Sequence, residues 1–335
     1  MIEENDKYLD GVNILFISPA FFGYEEDIIS ELKYCGANVE YIREVEYFPK
    51  VIKHKFSKAI LGDPVKNYKN YFHRILNSKK YDILFVIKGI SFDQEILSWI
   101  KNIKCQKILY QYDSSTINPQ ILNLIDYFDK VFTFDYEDFK TLNAYNIQFR
   151  PLFFSKSFSE VKNRNQIYKV ASVCSFYPKR YKIIREISQI LGTDSVSFYV
   201  YIPFLKLLKN FTKIGVCNAL KLKIYKLKRD KLINFMAQST CILDIEFTKQ
   251  KGLTIRTIET MGMNKKLITT NVEVQKYDFY HPNNIFILTD KNIREIDNFL
   301  TLPSIEIDKK IKKKYEIQTW CFNLFVASSI NFIKD

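Results

Sequence analysis

Residues Cys241 to Asn271, CILDIEFTKQKGLTIRTIETMGMNKKLITTN, decide how this chain is read. The apolar run Cys241 to Ile245 has the length and flanks of a buried strand. A polar loop, Glu246 to Lys251, follows. Gly252 then suits a tight approach and Thr254 an N-cap, ahead of a helical pattern with Leu253, Ile255, Ile258 and Met261 apolar and a stop near Gly262. A second apolar run, Lys266 to Thr270, completes a strand, loop, helix, strand unit of about 30 residues, the size of a βαβ crossover.

In such a unit the helix N-terminus lies at the carboxyl ends of parallel strands, where open α/β sheets bind ligands and backbone N–H groups favour an anion. A phosphate is expected at Gly252 to Thr254. Arg256 and Glu259, three residues apart, share a helix face. A guanidinium can grip a diphosphate and a carboxylate can accept both hydroxyls of a ribose. The stretch therefore reads as a nucleotide-sugar cradle. The other reading of the same spacing is an ordinary βαβ unit whose Arg256 and Glu259 pair on the surface.

Outward from this unit, 335 residues at 47% hydrophobic content fit two domains better than one. No apolar run reaches the roughly 18 residues that a membrane-spanning helix needs. The N-terminus, MIEENDKYLDG, is acidic and polar rather than a secretory signal, so a cytoplasmic location is expected. Six scattered cysteines without a CxxC pair read as reduced thiols, not as disulfides or a zinc site. The net charge of +13 is concentrated in Lys50 to Lys80 and Lys206 to Lys231, and would draw nucleic acid, anionic lipid or phosphorylated substrates. An AT-rich coding bias toward Lys, Asn, Ile and Tyr explains the same composition.

Along the chain, Val12 to Ser18 is the first buried strand, followed by the loop PAFFGYEED, a helix and a strand at Asn38 to Ile42, the order of a doubly wound sheet. Phe22 and Gly23 sit where a first-strand loop faces a cleft, either contacting an acceptor or packing. Within Lys50 to Lys80, aromatics set among lysines fit nucleic acid, a membrane surface or an ordinary solvated helix. Asp82 to Lys88 and Lys107 to Gln111 are further strands. The second carries Asp113 just past its carboxyl end, where a carboxylate can take a proton from a sugar hydroxyl or merely cap the next helix. Asp135 and Asp138 fit helix caps better than a metal pair.

Ser155 to Gln166 is polar and marks the domain boundary. Lys169 to Cys174 starts the pattern again, and the basic loop after it places Lys179 and Arg180 where a donor phosphate would sit, or leaves them as surface charge. A short helix over Phe204 to Phe211 precedes the Lys221 to Lys231 segment. There basic residues alternate with Leu222, Ile224, Tyr225 and Leu227, a mixture suited to anionic lipid headgroups. After Asn271, YDFYHPNN reads as an irregular loop able to close over a ligand. Ile317 to Ile333 reads as an amphipathic terminal helix with Trp320, Leu324 and Ala327 on one stripe.

The string GLTIRTIETMGMNKKLITTN, with YDFYHPNNIFIL downstream, resembles the C-terminal nucleotide-sugar segment of bacterial GT-B glycosyltransferases of the CgeB-like and capsule or lipopolysaccharide-biosynthesis kind. YQYDSSTINP, FDKVFTFDYEDF and RPLFF are similar to N-terminal-domain segments of that group. The resemblance implies an α/β chain of two Rossmann-like, doubly wound domains facing across a cleft. Their expected bounds are an acceptor domain over 1–154, a donor domain over 155–316, and a terminal helix over 317–335 returning to the first domain.

It also implies a transferase acting on a nucleotide-diphosphate sugar, UDP-linked, without a cofactor or an essential metal. Gly252, Leu253, Thr254, Arg256 and Glu259, with Lys179 and Arg180, would hold the donor, Glu259 at its ribose. Phe22 and Gly23 would lie on the acceptor side. Asp113 would deprotonate the acceptor hydroxyl in an inverting reaction and only orient it in a retaining one. In retaining families with a paired-glutamate motif the two glutamates lie closer than Glu246 and Glu259, which have twelve residues between them. Expected partners are a glycan or lipid-linked glycan acceptor and an anionic membrane surface, at the inner face of the plasma membrane. Two alternatives are a nucleotide-sugar epimerase of the same architecture, for which three histidines are few, and a noncatalytic polyanion-binding protein, which lacks any nucleic-acid motif.

Overall fold

The computed structural model describes residues 7–44, 63–142, 145–161, 165–208, 222–246, 251–326 and 330–334. Part of the basic segment expected over Lys50 to Lys80, with His54 and Phe56, lies outside them. So do Cys217, Phe211, Ala327 and most of the loop expected over Glu246 to Lys251.

The described residues form two α/β units. In the first, the elements are β1 (Asn13–Ser18), α1 (Tyr24–Tyr34), β2 (Asn38–Arg43), α2 (Pro64–Leu76), β3 (Ile83–Ile87), α3 (Gln94–Asn102), β4 (Gln106–Gln111), α4 (Ile121–Leu124), β5 (Lys130–Thr133), α5 (Tyr136–Thr141) and β6 (Gln148–Phe149). In the second they are α6 (Lys156–Ser159), β7 (Tyr168–Ser175), α7 (Pro178–Leu191), β8 (Val196–Tyr201), α8 (Arg229–Ala237), β9 (Ser239–Asp244), α9 (Ile255–Gly262), β10 (Lys266–Thr269), β11 (Ile285–Ile287), α10 (Ile296–Thr301) and α11 (Lys309–Lys314). The helix α12 (Ile317–Phe325) follows.

The first unit holds a parallel sheet of order β2-β1-β3-β4-β5-β6. Its central strands are apolar runs because helices cover both faces of a parallel sheet: every residue of β3, ILFVI, is buried. Leu15, Ile17, Leu84, Val86 and Leu109 point to the face covered by Phe72 of α2 and by Ile96, Leu97 and Ile100 of α3. On the other face, Phe16 stacks on Phe85, and Trp320 of α12 lies against Phe85 and Tyr110. Residues 318–326 thus cluster with the first unit.

The second unit repeats the design with the order β11-β10-β9-β7-β8, also parallel. Val170, Cys241, Leu243 and Ile268 meet Ile184 and Ile187 of α7 in one core. Lys266 is buried, and its ammonium caps α10 by donating to the carbonyls of Phe299 and Leu302 at 2.8 and 2.5 Å, a use of lysine that the helix dipole favours.

Two expectations change. The terminal helix stops at Phe325, not Ile333; Phe332 is instead buried in the second unit, where Ile333 pairs with Tyr277. The stretch YDFYHPNN is no free loop either. Tyr277 and Phe279 are buried, and Asp278 accepts from Lys314 and the Tyr315 hydroxyl, both at 2.7 Å. Two buried rings and the Asp278 bonds anchor the segment to the second unit.

Candidate functional site

In an open parallel sheet the ligand crevice forms where consecutive connections leave in opposite directions. In the second unit that point lies between β7 and β9. The turn after β7 runs through Phe176 and Tyr177 into α7, and the one after β9 carries Ile245 and Glu246. A cleft of about 590 Å³ opens there, with Tyr177, Lys179, Arg180, Glu246, Thr270 and Asp290 among its lining residues. This is the volume of a small-molecule site.

The start of α7, a helix of 14 residues, is basic and lacks a side-chain cap. Its N-cap, Tyr177, makes no side-chain capping bond, and its first turn holds no acid but does hold Lys179 and Arg180. Cations there oppose the helix dipole at a cost of a few tenths to about 1 kcal/mol. They favour the helix only once an anion sits over its amides. Arg180 is also a tie between the two turns: Nε donates to the Ile245 carbonyl at 2.8 Å and Nη1 to Ser175 at 3.3 Å. Both the Arg180 guanidinium and the Lys206 ammonium lie over the Tyr177 ring, at 5.3 and 4.7 Å.

Glu246 supplies the opposite charge. Its amide donates to Thr270 Oγ1 at 3.0 Å. Burial first, then the Asp244 and Glu273 carboxylates, push its pKa up to about 7, while Lys179 draws it back down. The cleft thus carries a carboxyl group that changes charge near neutrality.

The cradle expected from Gly252 to Glu259 is not assembled as one. The Gly252 amide donates to Asp135 Oδ2 at 2.9 Å, and a Cβ on Gly252 would lie 2.5 Å from the Phe134 ring. Leu253 is core. Thr254 caps α9 through Thr257 N–H, while the Thr254 and Thr257 hydroxyls both donate to Asp244 Oδ2. Arg256 Nη1 lies 2.6 Å from Glu259 Oε2, and the Glu259 side chain has no exposed surface. Neither Arg256 nor Glu259 is among the residues that line the cleft. The two residues do pair, but inside the unit rather than on its surface. Of the sequence-derived donor residues, only Lys179 and Arg180 line the cleft, joined by Glu246 from the edge of the opening stretch.

The first unit has its own switch point, between β1 and β3. Here the backbone is strained: Phe22, Gly23, Lys88 and Gly89 have φ of 56°, 81°, 73° and 72°. A non-glycine residue in this region costs of order 1–3 kcal/mol and persists where the surroundings fix it. The buried Glu44 carboxylate does so, accepting from the Gly89 and Ser91 amides at 3.1 and 2.7 Å and from the Ser91 hydroxyl at 3.0 Å. Lys88 Nζ reaches Asp113 Oδ2 at 3.0 Å and lies 5.7 Å from the Phe21 ring. Phe22 is exposed.

The loop bearing Asp113 is held by Asp138, which accepts from Ser115 N–H and Oγ at 2.7 and 2.5 Å. Asp135 caps α5 through Glu137 N–H at 2.9 Å. Among the described residues no group of three His, Cys, Asp or Glu side chains gathers as a metal site. Gln111 Oε1, Ser114 Oγ and Asn118 Nδ2 are buried without a hydrogen-bond partner among the described residues, a cost of about 1–3 kcal/mol each unless a ligand or water meets them. Sequence reasoning missed Lys88 and Glu44. The available signal was a lysine-glycine pair directly after an all-apolar strand.

No protein-family model matches the chain, and no curated protein matches it in sequence. Solved structures do match in fold. One, an α-glucosyltransferase in complex with UDP and a 13-mer DNA, is 11% identical with a TM-score of 0.56, over 95% of this chain and 96% of that one. AviGT4, a glycosyltransferase involved in avilamycin A biosynthesis, is 9% identical with a TM-score of 0.55, over 92% and 94%. UDP-GlcNAc 2-epimerase from Neisseria meningitidis bound to UDP-GlcNAc is 10% identical with a TM-score of 0.55, over 92% and 97%. The chain has the GT-B fold of two parallel-sheet α/β domains.

Proposed function

We propose that this chain is a glycosyltransferase that takes a sugar from a nucleoside-diphosphate donor, UDP-linked, and moves it to a glycan or lipid-linked glycan of the capsule or lipopolysaccharide kind. The observation that carries the reading is the second-unit cleft. An uncapped helix start and two first-turn cations meet there at a topological switch point. Such an arrangement is unfavourable for the empty protein and favourable for a diphosphate.

The leaving diphosphate gains charge as the glycosidic bond breaks, and cations already in place stabilise that charge without reorganising. Lys179, Arg180 and the α7 amides do this here, so the step draws on no metal. The nucleoside would lie toward Thr270 and Asp290. In the first unit, Asp113, held by Lys88, receives the proton of the attacking hydroxyl if configuration inverts, with Phe22 and Gly23 bordering the acceptor. The fold likeness to a UDP-bound glucosyltransferase and to UDP-GlcNAc 2-epimerase supports a sugar nucleotide as ligand.

The test is a thermal-shift screen with UDP, GDP, CMP and TDP and their sugar conjugates, with and without magnesium. A ligand of the folded state raises Tm by linkage. UDP and its sugars are expected to do so without magnesium, and Lys179→Ala to remove most of the shift. The absence of a shift with every nucleotide would overturn the reading. Conversion of UDP-GlcNAc to its 2-epimer without an acceptor would replace it with the epimerase.

A further inference from the structure

Between Asp194 and Asp230 the chain carries eight basic residues and no acidic one. Two described pieces of this span meet at the edge strand β8. Lys223 N–H donates to the Val200 carbonyl, Ile202 N–H donates to the Lys223 carbonyl, both at 2.8 Å, and the Tyr199 hydroxyl donates to the Tyr225 carbonyl at 2.8 Å. Residues 222–226 therefore lie beside β8, whose far end turns into the helical residues 204–208.

Large apolar side chains concentrate on these two pieces. Leu205 and Tyr225 are 72% and 76% exposed, and Phe204, Leu208 and Ile224 are also exposed. Leu205 and Leu208 are three apart on a helical turn and so share a face. Exposed apolar groups on adjoining segments are the usual sign of an interaction surface.

Lys206 lies over the Tyr177 ring, Lys226 over the Tyr201 ring, and Lys223 and Lys228 belong to the same segment.

We propose that residues 204–208 and 222–228 form a surface that docks on an anionic lipid bilayer, with Leu205 and Leu208 entering the headgroup boundary and the lysines meeting lipid phosphates. The mixture of aliphatic and cationic groups fits an interface where one side is hydrocarbon and the other anionic. Nucleic acid offers the lysines phosphate but offers Leu205 and Leu208 nothing to enter. A protein strand adding to the β8 edge meets Lys223 already bonded at its end. Because Lys206 reaches Tyr177, the surface adjoins the rim of the cleft. The docking does not depend on the transferase reading, and each can fail without the other.

The test is flotation of the full chain with phosphatidylcholine vesicles containing about one third phosphatidylglycerol, against phosphatidylcholine alone. Binding to the anionic vesicles only is expected, weakened at least tenfold in Leu205→Ser/Leu208→Ser and in Lys223→Gln/Lys226→Gln. All four side chains lie away from the cores, so Tm and any UDP-induced shift should stay as in the wild type. Failure of the wild type to float overturns the proposal. Full retention in the leucine variant also overturns it, showing simple polyanion adhesion, which heparin would then compete.

Discussion

Two helix starts in the second unit face the carboxyl ends of the same sheet and are built in opposite ways. At α9 the polar side chains are paired within the chain: Thr254 caps, two hydroxyls converge on Asp244, and Arg256 is bonded to a fully enclosed Glu259. At α7 the cap is missing and cations occupy the first turn. The first is finished by the protein itself, whereas on the proposed reading the second is completed by a bound diphosphate. Polar residues at a helix start become evidence for a ligand only when their partners inside the chain have been counted.

The contrast is open to experiment, and the largest effect is expected at α9. Glu259→Ala leaves the Arg256 guanidinium, mostly buried, without its carboxylate. Loss of one partner of a buried pair costs on the order of 3–5 kcal/mol. A large fall in the denaturation midpoint is therefore expected, and a stable variant with only weakened UDP binding would restore the ribose role. At α7 the reverse pattern is expected. Lys179→Ala should weaken UDP binding by about tenfold, one charge-assisted contact of roughly 1.5 kcal/mol. Its Tm should stay within a degree or two, checked by calorimetry beside thermal unfolding.

Glu246 sharpens the comparison through pH. Its folded pKa of about 7 is raised above the usual carboxylate value. Its contribution to stability is therefore complete below pH ~4.5 and lost as pH rises through about 7. Glu246→Gln should match the wild type at pH 4.5 and exceed it at pH 8, by roughly 1 kcal/mol after discounting for solvent screening. Parallel stability curves for the two proteins would contradict this. The smallest effect is expected from Tyr177→Ser, which supplies the missing cap and should stabilise the apo protein by about 0.5–1 kcal/mol. It also removes the ring beneath Lys206 and Arg180, so UDP affinity should fall while Tm rises.

What could be read in advance followed the range of the forces involved. VNILFIS, DILFVIK and KLITT are apolar runs between breakers, and burial of a parallel strand on both faces needs little more than that. The paired order of βα units carried the two parallel sheets, and Lys179 and Arg180 were visible as cations just after a strand. The bonding around Gly252 to Glu259 was not legible, because the partner of Gly252 is Asp135, 117 residues away. No local spacing reveals such a partner. Lys88 escaped for a different reason. Its left-handed backbone is imposed by Glu44 and Asp113, and lysine has no propensity of its own that announces it. The terminal helix was read too long because an amphipathic stripe continues past Phe325, while Phe332 is claimed by a different core.

Arg180 has one more consequence. Its guanidinium is bonded to the carbonyls of Ser175 and Ile245, so the two turns flanking the cleft are braced against each other. On the proposed reading, a nucleotide would spend little of its binding free energy on ordering walls so braced. Arg180→Lys would keep the charge and lose the brace, since an ammonium cannot present two donors in one plane. The cost would then fall on the entropy of binding, and calorimetry could see it as a penalty with no change in net charge.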